Sequence, residues 1–450
     1  MNIAQDSDVN APAGSGRERS LPQGKTVASD DARLAEFRLP GPRSWSIVQR
    51  ADDPDIERAK AQLHEDIDNG ATGITLIFAG APNAFGYGIA PTQEAMTTLL
   101  GDVPPGKIHL RIDAHPASRT TAEMLAVLLA RKRADMSKLS ISFGIDPAAI
   151  FAGTGALRMS IAAVEASMPQ SLGHFFALGA PGILLEANGR VFHNAGANAA
   201  QELGVMIAST ALYLRMFTEA RQPLVYAVPH IGFSLSVDQD QLRSIAKIRA
   251  LRKLWNKVQE GHGLTPSRAA IHAETSYRMM TLRDPDSNIL RSTIAASAAA
   301  MGGADTICIL PHTIPLGLAD SDARRMARNT QLIMADESHI VLDDPTGSAP
   351  VDTMTEELFS GAWAEFKRIE AEGGVLQSLS DGKIQSRIAA ARDLRGRLYR
   401  EARRVIVGTT DYKKEAGQAS VILDAKRPTP ARDAAVTCDP LPALRIDELL

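Results

Sequence analysis

Residues Glu186 to Phe217 read EANGRVFHNAGANAAQELGVMIASTALYLRMF. Three pieces follow one another in this stretch. A buried, apolar run (Gly182 to Glu186) leads into a polar turn holding His193 and Asn194. The turn becomes a long helix in which Leu203, Ile207, Leu214 and Phe217 recur at helical spacing, with Thr210 between them, and mark one apolar face. A strand, a polar loop and a covering helix form the repeating unit of an α/β barrel, whose chemistry sits on the loops after the strands.

The same unit can be traced through the chain. Apolar, β-branched runs at Trp45–Val48, Gly73–Phe78, Ile108–Ile112, Leu139–Phe143, Gly182–Leu185, Leu224–Val228, Ala269–His272 and Thr306–Leu310 give eight candidate strands. Helical stretches alternate with them: Asp55–Asn69, Thr92–Leu100, Thr120–Ala134, Leu157–Leu178, Ala199–Ala220, Gln239–Glu260, Asn288–Met301 and Asp322–Asp336. Alternation implies parallel pairing with right-handed crossovers. Eight units predict an α/β fold of the (β/α)8 TIM-barrel type, occupying residues 41–340. A doubly wound open sheet is the alternative; it would leave edge strands, and none of these runs is guarded by charge or proline. Residues 1–40 are rich in Ser, Gly, Asp and Arg without a period and read as a flexible N-terminal arm. A turn-rich piece, Asp343 to Pro350, lies near the start of a helical extension over 341–412, whose helical stretches, Thr353–Glu372 and Lys383–Arg403, are broken at Gly373–Gly374. The stretch 413–450 reads as a surface tail.

Composition narrows the function classes. The chain has 450 residues, 44% hydrophobic and 22% charged, enough to build a sizeable core. The net charge of -3 and the lack of a basic patch with interleaved aromatics argue against nucleic acid. Two cysteines, Cys308 and Cys438, exclude a disulfide framework and suit a reducing compartment. The N-terminus MNIAQDSDVN lacks the basic and apolar regions of a signal peptide, and no apolar run would span a membrane. The expectation is a cytoplasmic protein.

Candidate site residues come from the strand ends. His115, His230, His272 and His312 lie at or just past the end of a proposed strand, and His193 in the turn after one. A barrel would gather all five at one mouth, near Asp113, Glu186 and Glu274. Asp113-x-His115 and His272-x-Glu274 could each place two metal ligands on one side of a strand, but the His-x-His pair of many barrel hydrolases is missing. Metal-dependent hydrolysis is therefore a lesser alternative, and no metal is assigned. No Gly-x-Ser-x-Gly elbow occurs, and the glycine-rich loop Gly80 to Gly88 matches neither a P-loop nor a dinucleotide fingerprint. Arg249, Arg252 and Lys253 form a basic helix face that is either solvated or an anion site for a phosphorylated substrate tail.

Several strings, in order and in register, resemble one known family. They include Trp45-Ser-Ile-Val-Gln49, His193-Asn-Ala-Gly-Ala-Asn-Ala-Ala-Gln-Glu-Leu203, Lys247-Ile-Arg-Ala-Leu-Arg-Lys-Leu-Trp255 and His272-Ala-Glu-Thr-Ser276. Ala327-Arg-Asn-Thr-Gln331, Asp336-Glu-Ser-His339, Asp344-Pro-Thr-Gly-Ser348 and Ile406-Val-Gly408 continue the series. From Trp45 to Tyr412 the chain resembles the substrate-binding barrel of the methylmalonyl-CoA mutase family. The resemblance implies an adenosylcobalamin-dependent 1,2-rearrangement of an acyl-CoA, with the acyl-CoA threading the barrel axis and cobalamin lying across the mouth, held mostly by a separate flavodoxin-like domain.

The departures from that pattern are specific. The Asp-x-His-x-x-Gly cobalt-ligating signature does not occur in the sequence. Where catalytic chains place a tyrosine after Trp-x-x-x-Gln, Arg50 stands. Where they place a histidine ahead of the Ala-Gly-Ala turn, Val191 stands, and an acidic residue just before the turn is Asn194. The glutamine of their His-x-Gln-Thr-Ser string is Glu274, and the loop Pro311 to Gly317 lacks their Asn and acidic groups. These features resemble the small, non-catalytic subunit of heterodimeric mutases, which would pair with a cobalamin-binding or catalytic mutase subunit. The alternative is an active substrate-binding subunit with cobalamin on a separate chain. On either reading the candidate catalytic residues are His193 and Arg50. Cofactor contacts would come from His272, Glu274 and Asn194, and substrate contacts from Arg50, His230, Arg249 and His312.

Overall fold

A computed structural model describes residues 45–179, 182–338, 340, 348–413, 420–427 and 434–450. The expected arm over 1–40, most of the Asp343–Pro350 turn, His339, and the string from Asp344 up to its closing Ser348 lie outside the described residues.

Eight parallel strands close on themselves: β1 (Ser46–Ala51), β2 (Gly73–Leu76), β3 (His109–Ile112), β4 (Ser140–Ile145), β5 (Ile183–Asn188), β6 (Ile231–Val237), β7 (Ala270–Thr275) and β8 (Thr306–Cys308). Closure is made by β8 on β1, with Ser46 opposite Thr306 and Val48 opposite Cys308. The fold is thus the (β/α)8 barrel, and the open-sheet alternative is excluded. Around it run α1 (Ile56–Asp68), α2 (Gln93–Leu100), α3 (Ser118–Arg131), α4 (Pro147–Thr154), α5 (Ile161–Ala177), α6 (Arg190–Asn194), α7 (Ala199–Glu219), α8 (Leu224–Ala227), α9 (Gln241–Gly261), α10 (Asp286–Met301) and α11 (Ser321–Leu332). Then come α12 (Ala349–Ala371), α13 (Val375–Ser380) and α14 (Lys383–Arg400). No helix among the described residues is long and apolar enough to cross a membrane.

The strands alternate in an unusual sense. In β6, Phe233, Leu235 and Val237 pack outward against the helices, while Gly232, Ser234 and Ser236 face the axis, all buried. In β3, Leu110 and Ile112 alternate with His109 and Arg111; in β7, Ile271 and Ala273 alternate with His272 and Glu274. The hydrophobic core therefore lies between barrel and helices, and the lumen is polar.

Two expectations are corrected. The sixth strand is Ile231–Val237, not Leu224–Val228. Pro223 starts the short helix α8 and Pro229 lies in the 3-10 turn after it. Proline has no N–H for a central ladder, so the strand begins only after it. The helix expected over Leu157–Leu178 is preceded by α4 and by a two-residue strand, Ala156–Leu157. Asp146 starts α4, accepting from the Ala148 and Ala149 N–H groups at 2.9 and 3.1 Å, and Gly155 ends it with φ of 71°.

The chain beyond the barrel is tied to it. On α7, a Cβ at Gly204 would lie 2.7 Å from Glu365 Cβ of α12, so glycine permits the close approach. Ile422–Leu423 pairs with Leu318–Ala319, and Val436–Thr437 pairs with Ala156–Leu157. Glycine is obligatory where the β4–β5 pairing is irregular and just before β5, at Gly144 and Gly182, whose added Cβ would lie 1.9 and 2.0 Å from a carbonyl oxygen. Gly144, where β4 shifts register against β5, has φ of 59°, and a Cβ there would lie 1.9 Å from the Ile112 carbonyl oxygen. Gly144→Ala is expected to cost roughly 3 kcal/mol or more in denaturant unfolding. Gly173→Ala on α5, where a Cβ meets nothing within 4 Å, should instead stabilise by about 0.5–1 kcal/mol.

Candidate functional site

The polar lumen is filled by a chain of alternating charges. Arg50 on β1 reaches Asp52 at 2.9 Å and Glu274 on β7 at 3.1 Å. Glu274 faces Arg190 of α6 at 3.0 Å, and Arg190 pairs with Asp113, just past β3. Asp113 is also 3.5 Å from Arg111 on β3, and Arg111 makes a two-point pair with Glu186 on β5, one leg at 3.0 Å. Ser142 of β4 donates to Glu186 at 2.9 Å. All these side chains are buried.

Burial by itself would raise the Asp113 pKa, but Arg190, Arg111 and Arg50 outweigh it and hold the carboxyl at about 2. Burial likewise opposes charge on Arg50, yet Glu274 and Asp52 push its pKa up. Three guanidinium groups thus sit against Asp113, Glu186 and Glu274 as mutually compensating ions. Little space is left beneath them. A cavity lined by His109, Arg111, Glu186, Phe233, His272 and Thr306 amounts to about 10 Å³, the lower limit for one water.

The mouth above is covered. The loop after β2 folds inward, and Phe85 lies over the Arg50 guanidinium at 5.2 Å while stacking on Tyr277 at 4.3 Å. Arg50 also donates to the Asn83 carbonyl at 2.7 Å. That loop meets α4 and α6 at one point. A Cβ at Gly153 would lie 2.4 Å from Pro82 and 3.1 Å from Val191. The C-terminal segment then crosses the same face: Leu441 N–H donates to Ala152 O at 2.7 Å, Leu444 N–H to Asn194 O at 3.0 Å, and Ile446 N–H to Arg278 O at 2.8 Å.

Of the five histidines expected at the mouth, the structure puts His115, His193 and His312 at the C-terminal end of the barrel. His115 follows β3 and bonds the Ala79 carbonyl oxygen at 3.0 Å. His312 follows β8 and is partly buried at the rim, where its carbonyl accepts from Asn288 at 3.1 Å. His272 points into the lower lumen, its Nδ1 2.7 Å from Thr306 Oγ1 and its Nε2 without a hydrogen-bond partner among the described residues. His230 is at the opposite end, 2.6 Å from the Gly182 carbonyl oxygen, because β6 starts after it rather than before it. Arg249, Arg252 and Lys253 are likewise remote from the axis. Arg249 lies 3.8 Å from Asp352 of α12, Arg252 donates to the Ala269 carbonyl at 2.7 Å, and Lys253 pairs with Glu356.

His193 is held on both sides. Its Nδ1 is 3.0 Å from Glu202 and its Nε2 2.8 Å from Ser276 Oγ. Glu202, buried on α7, also receives Lys247 at 2.7 Å and the Ser236 N–H at 3.0 Å. Burial, then Arg278 and Lys247, push the His193 pKa well down, so the ring is neutral with both nitrogens engaged. Asn194 Oδ1 accepts from the Arg278 N–H at 3.4 Å. Sequence reasoning missed Arg111 and Arg190. The signal for Arg111 was present: it occupies the same face of β3 as His109, in a strand whose other face is apolar.

Among the described residues no group of three or more His, Cys, Asp or Glu side chains is placed to hold a metal ion. Asp113 is committed to arginines and His115 to a backbone carbonyl, so the hydrolase alternative is not favoured.

The family model for methylmalonyl-CoA mutase matches residues 38–436, and the chain belongs to that family. Within it, the chain is 34% identical over 413 residues to the methylmalonyl-CoA mutase small subunit of Streptomyces virginiae, a match covering 90% of this chain and 63% of that protein. It is 38% identical to the probable small subunit of Mycobacterium tuberculosis strain H37Rv, covering 65% of this chain and 48% of the other. For the small subunit of Propionibacterium freudenreichii subsp. shermanii the identity is 29%, with 82% and 57% covered. The chain thus spans about half to under two-thirds of the length of these relatives.

Two outcomes follow from the buried charges. Arg190→Met leaves Asp113 and Glu274 facing each other without their shared cation and should cost about 3–5 kcal/mol in chemical unfolding. Acid should destabilise the protein through its buried imidazoles. His109, on the lumen face of β3 with Arg111 and 2.9 Å from Ser140 Oγ, is pushed down to about 3, first by burial and then by Arg111, from an ordinary 6.5. Below pH 6.5 the unfolded chain takes up a proton that the folded chain refuses until about pH 3, so stability falls as pH falls. In a series of denaturant titrations, His109→Gln should flatten this slope by about 1.4 kcal/mol per pH unit in that window.

Proposed function

We propose that this chain is the structural, non-catalytic subunit of a two-chain acyl-CoA mutase, pairing with a catalytic chain that carries adenosylcobalamin. The observation that carries the reading is the Arg50–Glu274–Arg190–Asp113–Arg111–Glu186 chain, which occupies the axis an acyl-CoA would have to thread. Three of its members are arginines, each anchored to a carboxylate, so the network cannot part without exposing buried charge. At Arg50 the guanidinium is covered by Phe85 and offers no hydroxyl to a thioester.

Cobalamin does not fit this chain's own mouth. The face it would lie across is bridged by the loop after β2, by α4 and α6, and by the C-terminal segment. His193 has no free nitrogen, and the Asn194 carbonyl is taken by Leu444. No step of the isomerisation is assigned to these residues. What the chain supplies is a rigid barrel with a covered mouth, and its outer surface is what remains for a partner. Two free cysteines, one buried and one partly buried, suit a reducing compartment, which supports the cytoplasm as its location.

The purified chain should neither retain adenosylcobalamin absorbance after desalting nor turn over methylmalonyl-CoA, and methylmalonyl-CoA should not shift its melting temperature. Turnover by the chain alone would overturn the reading, as would an acyl-CoA-dependent stabilisation abolished by Glu274→Gln. Affinity capture from native extract should bring down a cobalamin-containing chain of the same family.

A further inference from the structure

A second polar cavity, of about 250 Å³, lies off the barrel axis, between the start of α9, the C-terminal half of α14 and the loop after β7. Its walls carry five basic side chains, Arg243, Lys247, Arg278, Arg395 and Arg404, against two carboxylates, Asp238 and Asp240. Three of the cations have local partners. Arg243 is 3.3 Å from Asp240, Arg278 is 3.3 Å from Asp238, and Lys247 is 2.7 Å from Glu202. Arg395 and Arg404 have no carboxylate within ion-pair distance among the described residues. Arg395 makes one hydrogen bond, to the Gly196 carbonyl at 2.9 Å, which leaves most of its donors unused.

Two further features point the same way. The N-terminus of α9, a helix of 21 residues, opens on this cavity, and no side chain caps its first turn. Its amide groups and dipole favour an anion there. Burial, and then the neighbouring Arg278, lower the Arg395 pKa to about 9, so this cation sits among groups that disfavour its charge.

We propose that this cavity binds the phosphate group of a small molecule, held by Arg395, Arg404 and the first turn of α9. Phosphate is favoured over carboxylate because the donors converge from three elements, and a tetrahedral dianion presents oxygens to each, whereas a planar carboxylate serves one fork. The floor of the cavity is the His193–Glu202–Lys247 group, which separates it from the lumen. The site is therefore distinct from the filled axis and independent of the subunit role argued above.

The test uses the full chain at constant ionic strength, with inorganic phosphate, ADP and succinate as probes in thermal unfolding and calorimetry. Phosphate or ADP should raise the melting temperature in a dose-dependent way, and succinate should not. Tighter binding of ADP than of phosphate would name a nucleotide as the source, and binding of phosphate alone would name the free ion. Arg395→Gln should weaken phosphate at least about tenfold while leaving the unliganded melting temperature unchanged or higher, because it removes a crowded cation. Arg404→Gln, at an exposed residue, should weaken phosphate several-fold and leave the unliganded melting temperature unchanged. The proposal is overturned if wild type does not respond to phosphate or ADP, if succinate acts equally well, or if both variants bind like wild type.

Discussion

Charge in the lumen is the constraint on which the rest of the molecule depends. Arginines on β1, β3 and α6 are shut inside a closed barrel, and each loses the hydration that would stabilise it in water. Only carboxylates at hydrogen-bond range make that tolerable. Asp113, Glu186 and Glu274 supply them from just past β3, from β5 and from β7. Strand register, the inward turn of the loop after β2 and the placement of α6 all serve to bring these groups within about one side-chain length of one another.

The same constraint determines what fills the barrel axis. An open barrel lines its lumen with small polar side chains and leaves space; β6, with Gly232, Ser234 and Ser236, still has that character. On β1, β3, β5 and β7 long charged side chains take up the space instead. The cover follows from this. Phe85 lies on Arg50, and Val191 packs at Gly153. Family membership and a filled axis are therefore compatible: the barrel of the family here carries buried charge along its axis.

Parts of this were legible from residues alone. Strand and helix alternation located seven of the eight strands, since outward-facing apolar residues repeat with period two wherever helices cover the sheet. The eighth, β6, was misplaced because an apolar run, Leu224 to Val228, outweighed the proline that forbids a ladder there. That shift of a few residues moved His230 from one end of the barrel to the other. The departures at Arg50, Val191, Asn194 and Glu274 were also readable, because each changes the chemistry a side chain can perform.

What the sequence determined, then, was the barrel, its family and the residues Arg50, Val191, Asn194 and Glu274 at positions where the resemblance implies others. Local pattern encodes these, since periodicity and motif order depend on neighbours in the chain. Only the tertiary structure decided that Arg50, Arg111 and Arg190, some 140 residues apart at the extremes, share one set of carboxylates. Only it showed that the C-terminal segment crosses the mouth, and that Arg395 is left crowded beside Arg278. Ion pairing in a buried space is a property of which side chains face each other across the ring. Spacing along the chain carries no record of that.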